Sequence, residues 1–147
     1  MDSEKDSTSA KQATAVSGYP STAEKNRPRI VIADDDPRVL AEIANFLGAD
    51  FDVVGHASNG RELIETVQRL NPALVVTDLA MPEMDGIEAA REITRTCCNV
   101  KVVILSGYSD EALVDAAFDA GASSYVVKVR ACVELIPAIQ CILGSHN

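Results

Sequence analysis

Four short apolar runs, each ending on a residue able to do chemistry, constrain this chain more than any other feature. Ile30-Val31-Ile32-Ala33 leads into Asp34-Asp35-Asp36, and Ala73-Leu74-Val75-Val76-Thr77 leads into Asp78. Val102-Val103-Ile104-Leu105 leads into Ser106, and Tyr125-Val126-Val127 leads into Lys128. Runs this short, apolar and rich in β-branched residues read as buried strands of a parallel sheet. In an open parallel α/β sheet, ligands bind outside the carboxyl ends of the strands. Acids, a hydroxyl and an ammonium would therefore converge on one rim. That set can hold a divalent cation and a phosphoryl group together.

Helical patterns alternate with these runs. Asp36-Pro37 is an N-cap followed by a first-turn proline, and Val39, Leu40, Ile43, Phe46 and Leu47 keep helical spacing up to Gly48. Phe51 to Ala57 reads as a second strand and Asn59-Gly60 as a turn. A helix over Arg61 to Leu70 stops at Asn71-Pro72, and another runs from Gly86 to Thr94. Ser109 or Asp110 caps a helix through Ala120 that Gly121 closes. The fifth strand is expected to end at Lys128, and a last amphipathic helix covers Val133 to Leu143. Pro137 would clash inside that helix at a cost of ~3 kcal/mol or more, which moves its expected start towards Pro137. The pattern is (βα)₅, with short, right-handed crossovers.

A chain of 147 residues suits one domain. The net charge is −9, and residues 1–27 are neutral, so the excess acid lies in residues 28–147. An acidic domain is poorly suited to gripping nucleic-acid phosphates. Residues 1–28 are rich in Ser, Thr and Ala, with Val16 and Tyr19 the only sizeable apolar groups, and read as a disordered arm. The folded domain is expected over residues 29–144, with 145–147 as a tail. Cys97, Cys98, Cys132 and Cys141 make no metal-ligand spacing and read as free thiols of a reducing, cytoplasmic compartment. The N-terminus has no apolar h-region, and no run reaches the ~18 residues of a membrane span.

Taken together, four motifs resemble the receiver domain of bacterial response regulators in two-component signalling. They are Ile32-Ala33-Asp34-Asp35-Asp36-Pro37, Val76-Thr77-Asp78-Leu79-Ala80-Met81-Pro82-Glu83-Met84-Asp85-Gly86, Leu105-Ser106-Gly107, and Gly121-Ala122-Ser123-Ser124-Tyr125-Val126-Val127-Lys128. The details are most similar to receivers that precede a helix-turn-helix DNA-binding domain. Asn147 follows soon after the last helix, so no output domain is expected here. The resemblance implies a doubly wound, flavodoxin-like α/β fold with strand order 2-1-3-4-5. It makes Asp78 the phosphoacceptor and assigns Mg²⁺ (or Mn²⁺) to Asp35, Asp78, the Ala80 carbonyl and, through water, Asp34. Ser106 becomes the switch hydroxyl, Tyr125 the aromatic that follows it, and Lys128 the cation on the phosphoryl group. Gly107 would leave room for that group.

Implied partners are a histidine kinase or phosphotransfer protein, and a downstream protein or a second copy of the chain, with no nucleic acid or membrane. Turnover beyond self-phosphotransfer and slow autodephosphorylation is not expected. The charges need a counterion: two ionised acids about 4 Å apart repel by roughly 4 kcal/mol at an effective dielectric near 20. One departure stands out. The family commonly has a cis-proline after the lysine, whereas Val129 follows Lys128, so a trans bond and an altered 129–137 segment are expected.

Plainer readings exist for single residues. Asp36 suits a cap alone, Tyr125 suits the core, and Met81, Pro82 and Met84 suit loop packing. His56, His146 and Arg130 carry no assigned role. Asp34-Asp35-Asp36 also fits the nucleophile motif of haloacid-dehalogenase-like phosphatases, with Asp34 attacking and Ser106 and Lys128 following in order. That family needs a further acidic pair after the lysine, and here only Glu134 follows. A phosphorylation-independent binding module of receiver type is the third reading.

Overall fold

The computed structural model describes residues 27–144. Most of the expected arm and the tail at 145–147 lie outside them. Order already includes Arg27, whose guanidinium donates to the Gly48 carbonyl, and Pro28, whose carbonyl accepts the Asp52 N–H.

In a strand, successive side chains point to opposite faces. The apolar runs obey this, and each strand feeds two cores. From β1 (Arg29–Ala33), Val31 and Ala33 enter one cluster, Ile30 and Ile32 the other. From β3 (Leu74–Asp78), Val75 faces the first cluster, Leu74 and Val76 the second. From β4 (Lys101–Ser106), Val102 and Ile104 oppose Val103 and Leu105. With β2 (Asp52–Ala57) and β5 (Ser124–Val127) they form one parallel sheet of order β2-β1-β3-β4-β5. Helices cover both faces. The first cluster is closed by Leu63 and Val67 of α2 (Gly60–Leu70), Ala89, Ala90 and Ile93 of α3 (Gly86–Thr96), and Ala117 of α4 (Glu111–Asp119). The second is closed by α1 (Pro37–Leu47) and α5 (Ala131–Gly144), through Leu40, Ile43 and Leu47 and through Leu135 and Ile139. The architecture is the doubly wound α/β fold expected from the sequence.

Caps follow the sequence except at α2. The Asp36 carboxylate accepts the Arg38 N–H, and Asp110 rather than Ser109 caps α4. Asn59-Gly60 is not a free turn: the Asn59 side chain caps α2 by accepting the Glu62 N–H, and Gly60 is the first helical residue. Helix α3 runs two residues past the expected end, to Thr96.

The last segment departs most. Strand β5 ends at Val127, and Lys128–Arg130 form a 3₁₀ turn that runs directly into α5. Helix α5 therefore starts well before Pro137 and passes through it. Pro137 cannot donate to the carbonyl four residues back, and that residue, Val133, is 65% exposed, where water can serve instead. No cis peptide bond occurs among the described residues, so Lys128–Val129 is trans. The four cysteines form no disulfide, and no described helix is long and apolar enough to cross a membrane.

Candidate functional site

Asp34 and Asp35 follow β1, Asp78 and Ser106 are the last residues of β3 and β4, and Lys128 is the first residue after β5. The parallel register brings all five to the carboxyl rim. Carboxylate oxygens of Asp34, Asp35 and Asp78 lie within 4.8 Å of one another. Asp34 is 1% exposed and Asp78 8%, while Asp35 is exposed.

Buried acids this close need donors. Asp34 Oδ1 accepts the Asp36 N–H at 2.9 Å, and Asp34 Oδ2 accepts from Lys128 Nζ at 2.9 Å. Asp78 Oδ1 accepts the Leu79 N–H at 2.8 Å and lies 3.4 Å from Lys128 Nζ. Burial pushes the Asp78 carboxyl above its ordinary pKa, and the charge of Asp34 adds to this. Lys128 and the Leu79 N–H oppose the shift without cancelling it. Burial alone would lower the Lys128 pKa, but its hydrogen bond to Asp34 and the charge of Asp78 outweigh burial and raise it. The ammonium therefore stays charged at neutral pH, and one cation serves two acids.

Ser106 is fully buried, and its Oγ accepts the Tyr108 N–H at 3.0 Å. The Tyr125 hydroxyl donates to the Tyr108 carbonyl at 2.7 Å. Tyr108 therefore joins the two side chains through its own backbone, a link the sequence reading missed. Its only sequence signal is position, two residues past Ser106. Tyr125 itself is half-buried against the first core cluster. Ala80 is exposed on the loop two residues past Asp78. A Cβ at Gly107 would meet no atom within 4 Å, so the space there is open and protein packing does not require the glycine.

Two other glycines hold the Asp78 loop, and their tightness was not legible in sequence. A Cβ on Gly86 would lie 2.1 Å from the Asp78 carbonyl oxygen, and one on Gly60 would lie 2.2 Å from that of Met84. Hydrogen bonds from Gly86 N–H to Leu79 O and from Gly60 N–H to Met84 O close the loop at both places. The Thr77 hydroxyl donates to the Asp78 carbonyl. Within the loop, Glu83 adopts φ +67°, a left-handed conformation rarely taken by such a side chain. Met81 is buried as loop packing, His56 is exposed, Arg130 pairs with Glu134, and His146 lies outside the described residues.

The donor set is all oxygen, anionic and partly open to solvent through Asp35. That chemistry fits a hard divalent cation such as Mg²⁺ better than a soft metal.

The comparisons with known proteins identify the family. The family model for the response regulator receiver domain matches residues 30–140. The response regulator VraR of Staphylococcus saprophyticus is 34% identical over 121 residues, covering 81% of this chain and 58% of that protein. The chemotaxis protein CheY of Thermotoga maritima is 37% identical over 101 residues, covering 68% of this chain and 84% of that one. A two-component response regulator of the LuxR family from Aurantimonas superposes with a TM-score of 0.78 at 32% identity, covering 82% of this chain and 87% of that one. The chain belongs to the response-regulator receiver family. It spans a little over half the length of VraR.

Proposed function

We propose that this receiver is a phosphoacceptor in a two-component relay and that Asp78 takes the phosphoryl group. The observation that carries the reading is the convergence of three carboxylates, Ser106 and Lys128 at one rim, with Lys128 Nζ 3.4 Å from Asp78 Oδ1. A carboxylate can attack phosphorus and hold it as an acyl phosphate. Both contacts to Asp78 fall on Oδ1. Oδ2 therefore attacks: its bond to phosphorus forms as the nitrogen–phosphorus bond of a phosphohistidine donor breaks. The imidazole leaves with the electron pair and takes up a proton.

Asp35, Asp78 and the Ala80 carbonyl would hold Mg²⁺, with Asp34 acting through water because Lys128 and the Asp36 amide already engage its oxygens. When bound, the ion supplies positive charge that spreads over the transferring phosphoryl oxygens. Lys128 pairs with that group from the other side, and the Ser106 hydroxyl donates to it. Its bond to Tyr108 links that contact to Tyr125. The partners are a histidine kinase or phosphotransfer protein, and a protein target or a second copy of the chain. The exposed acids Asp110, Glu111, Asp115 and Asp119 on and beside α4 disfavour DNA.

The phosphatase reading is disfavoured because it leaves the motif around Asp78 without a role and finds only Glu134 after Lys128 where that family needs an acidic pair. The test is incubation with a small phosphodonor and Mg²⁺, followed by mapping of the label by mass spectrometry. Label on Asp78, lost in Asp78→Ala, is expected. Full labelling of Asp78→Ala would overturn the assignment.

A further inference from the structure

Thr77 puts a hydroxyl into an apolar layer. It is the penultimate residue of β3 and fully buried, and its register partners, Ala33 and Ile104, both belong to the first core cluster. Side chains alternate along a strand, so the Asp78 carboxylate, one residue on, leaves by the opposite face. Burying a hydroxyl is costly unless it is bonded, and valine would fill the same space without that cost. The Thr77 hydroxyl is bonded. Its Oγ1 donates to the Asp78 carbonyl at 2.9 Å, with Met81 Sδ, a weak acceptor, at 3.9 Å.

The Asp78 carbonyl shares one planar peptide unit with the Leu79 N–H. This bond is trans, so the two groups point in opposite directions. The Thr77 hydroxyl holds one end of the unit, and the other end donates to Asp78 Oδ1 at 2.8 Å. Gly86 leaves the room for this arrangement, since a Cβ there would lie 2.1 Å from the same carbonyl oxygen. We infer that Thr77 is a positioning residue for phosphotransfer: its hydroxyl sets the Asp78–Leu79 peptide so that Oδ1 is occupied and Oδ2 is presented to phosphorus. This deepens the phosphoacceptor reading and rests on it. The hydroxyl acts through the peptide and touches no reacting atom. Without it the unit is freer to rotate, the Leu79 N–H leaves Oδ1, and the carboxylate spends less time aligned for attack.

Two substitutions separate this role from packing. Thr77→Val keeps the shape and drops the hydroxyl, whereas Thr77→Ser keeps the hydroxyl and drops a buried methyl. Thr77→Val should melt within about 3 °C of wild type, and Thr77→Ser below it. The rate of labelling at Asp78, measured with acetyl phosphate at saturating Mg²⁺, should rank them the other way. It should be about tenfold slower in Thr77→Val, the factor one hydrogen bond is worth, and within about twofold of wild type in Thr77→Ser. Exchange of the Leu79 N–H, followed by NMR, should be about tenfold faster in Thr77→Val and unchanged in Thr77→Ser. If Thr77→Val does not fold, Thr77→Ala set against Thr77→Ser isolates the hydroxyl instead. Labelling of Thr77→Val at the wild-type rate, or rates that fall in step with melting temperature, would overturn the positioning role. An unlabelled Asp78 in wild type would sink the phosphoacceptor reading. The Leu79 exchange then decides the peptide clamp by itself: faster exchange in Thr77→Val upholds it, and equal exchange overturns it.

Discussion

Asp78→Asn is expected to make the protein more stable at neutral pH, with a gain that disappears on acidification. The substitution keeps the shape of the side chain and removes a charge the fold holds unfavourably. That charge has an Asp34 oxygen within 4.8 Å and the Lys128 ammonium 3.4 Å away. At an effective dielectric near 20 these pairs are worth roughly 3.5 and 5 kcal/mol with opposite signs, so they largely cancel. Removing a carboxylate from water then costs several kcal/mol, of which the Leu79 N–H bond returns about 1.5–3. Burial and the Asp34 charge together outweigh Lys128 and the Leu79 N–H, so the ionised form is disfavoured in the fold, in the direction of the raised pKa of Asp78. In the unfolded chain an aspartate titrates near ~3.9, and in the fold Asp78 titrates higher. Wild type therefore loses stability as pH rises through that interval, and the asparagine variant does not. Below it both side chains are neutral and the difference closes. Thermal melts with chelator should place Asp78→Asn about 3–8 °C above wild type near pH 7 and level with it near pH 3. A variant that melts at or below wild type at neutral pH, or whose gain persists in acid, would refute the reasoning.

Three further outcomes follow from the same geometry. Mg²⁺ should raise the melting temperature of wild type, by about 2.7 kcal/mol of stability at a hundredfold excess over Kd, and do so far less in Asp35→Asn. Gly86→Ala places a Cβ 2.1 Å from the Asp78 carbonyl and should cost more than about 3 kcal/mol by denaturant midpoint, whereas Gly107→Ala, facing open space, should stay within about 0.5. Tyr125→Phe loses the hydrogen bond to the Tyr108 carbonyl and should cost at most about 1 kcal/mol, while reducing exchange protection at Tyr108.

Strands β1, β3 and β4 were legible because a strand buried on both faces leaves a short, unbroken apolar run, here rich in β-branched residues and bounded by helical patterns. The rim residues were legible because each directly follows such a run, so finding the strand ends located the chemistry. Lys128 shows the limit: it lies where expected in space, but its backbone starts a helix and does not end a strand. Nothing local in Val127-Lys128-Val129 distinguishes the two. Pro137 misled because local sequence does not show that the residue whose carbonyl loses its helical donor, Val133, is largely exposed to water. The closeness of Gly60 to Met84 and of Gly86 to Asp78 was invisible, since it depends on contacts between elements that the sequence does not place side by side.

The alternation of side chains along β1, β3 and β4 has a mechanical consequence. The sheet works as a partition, with two cores that share walls but no interior. Ser106 hands the chain to α4, over the first core, and Lys128 hands it to α5, over the second. The rim therefore borders the helical layers on both sides of the sheet. Ile93, for instance, belongs to the first core and not to the second.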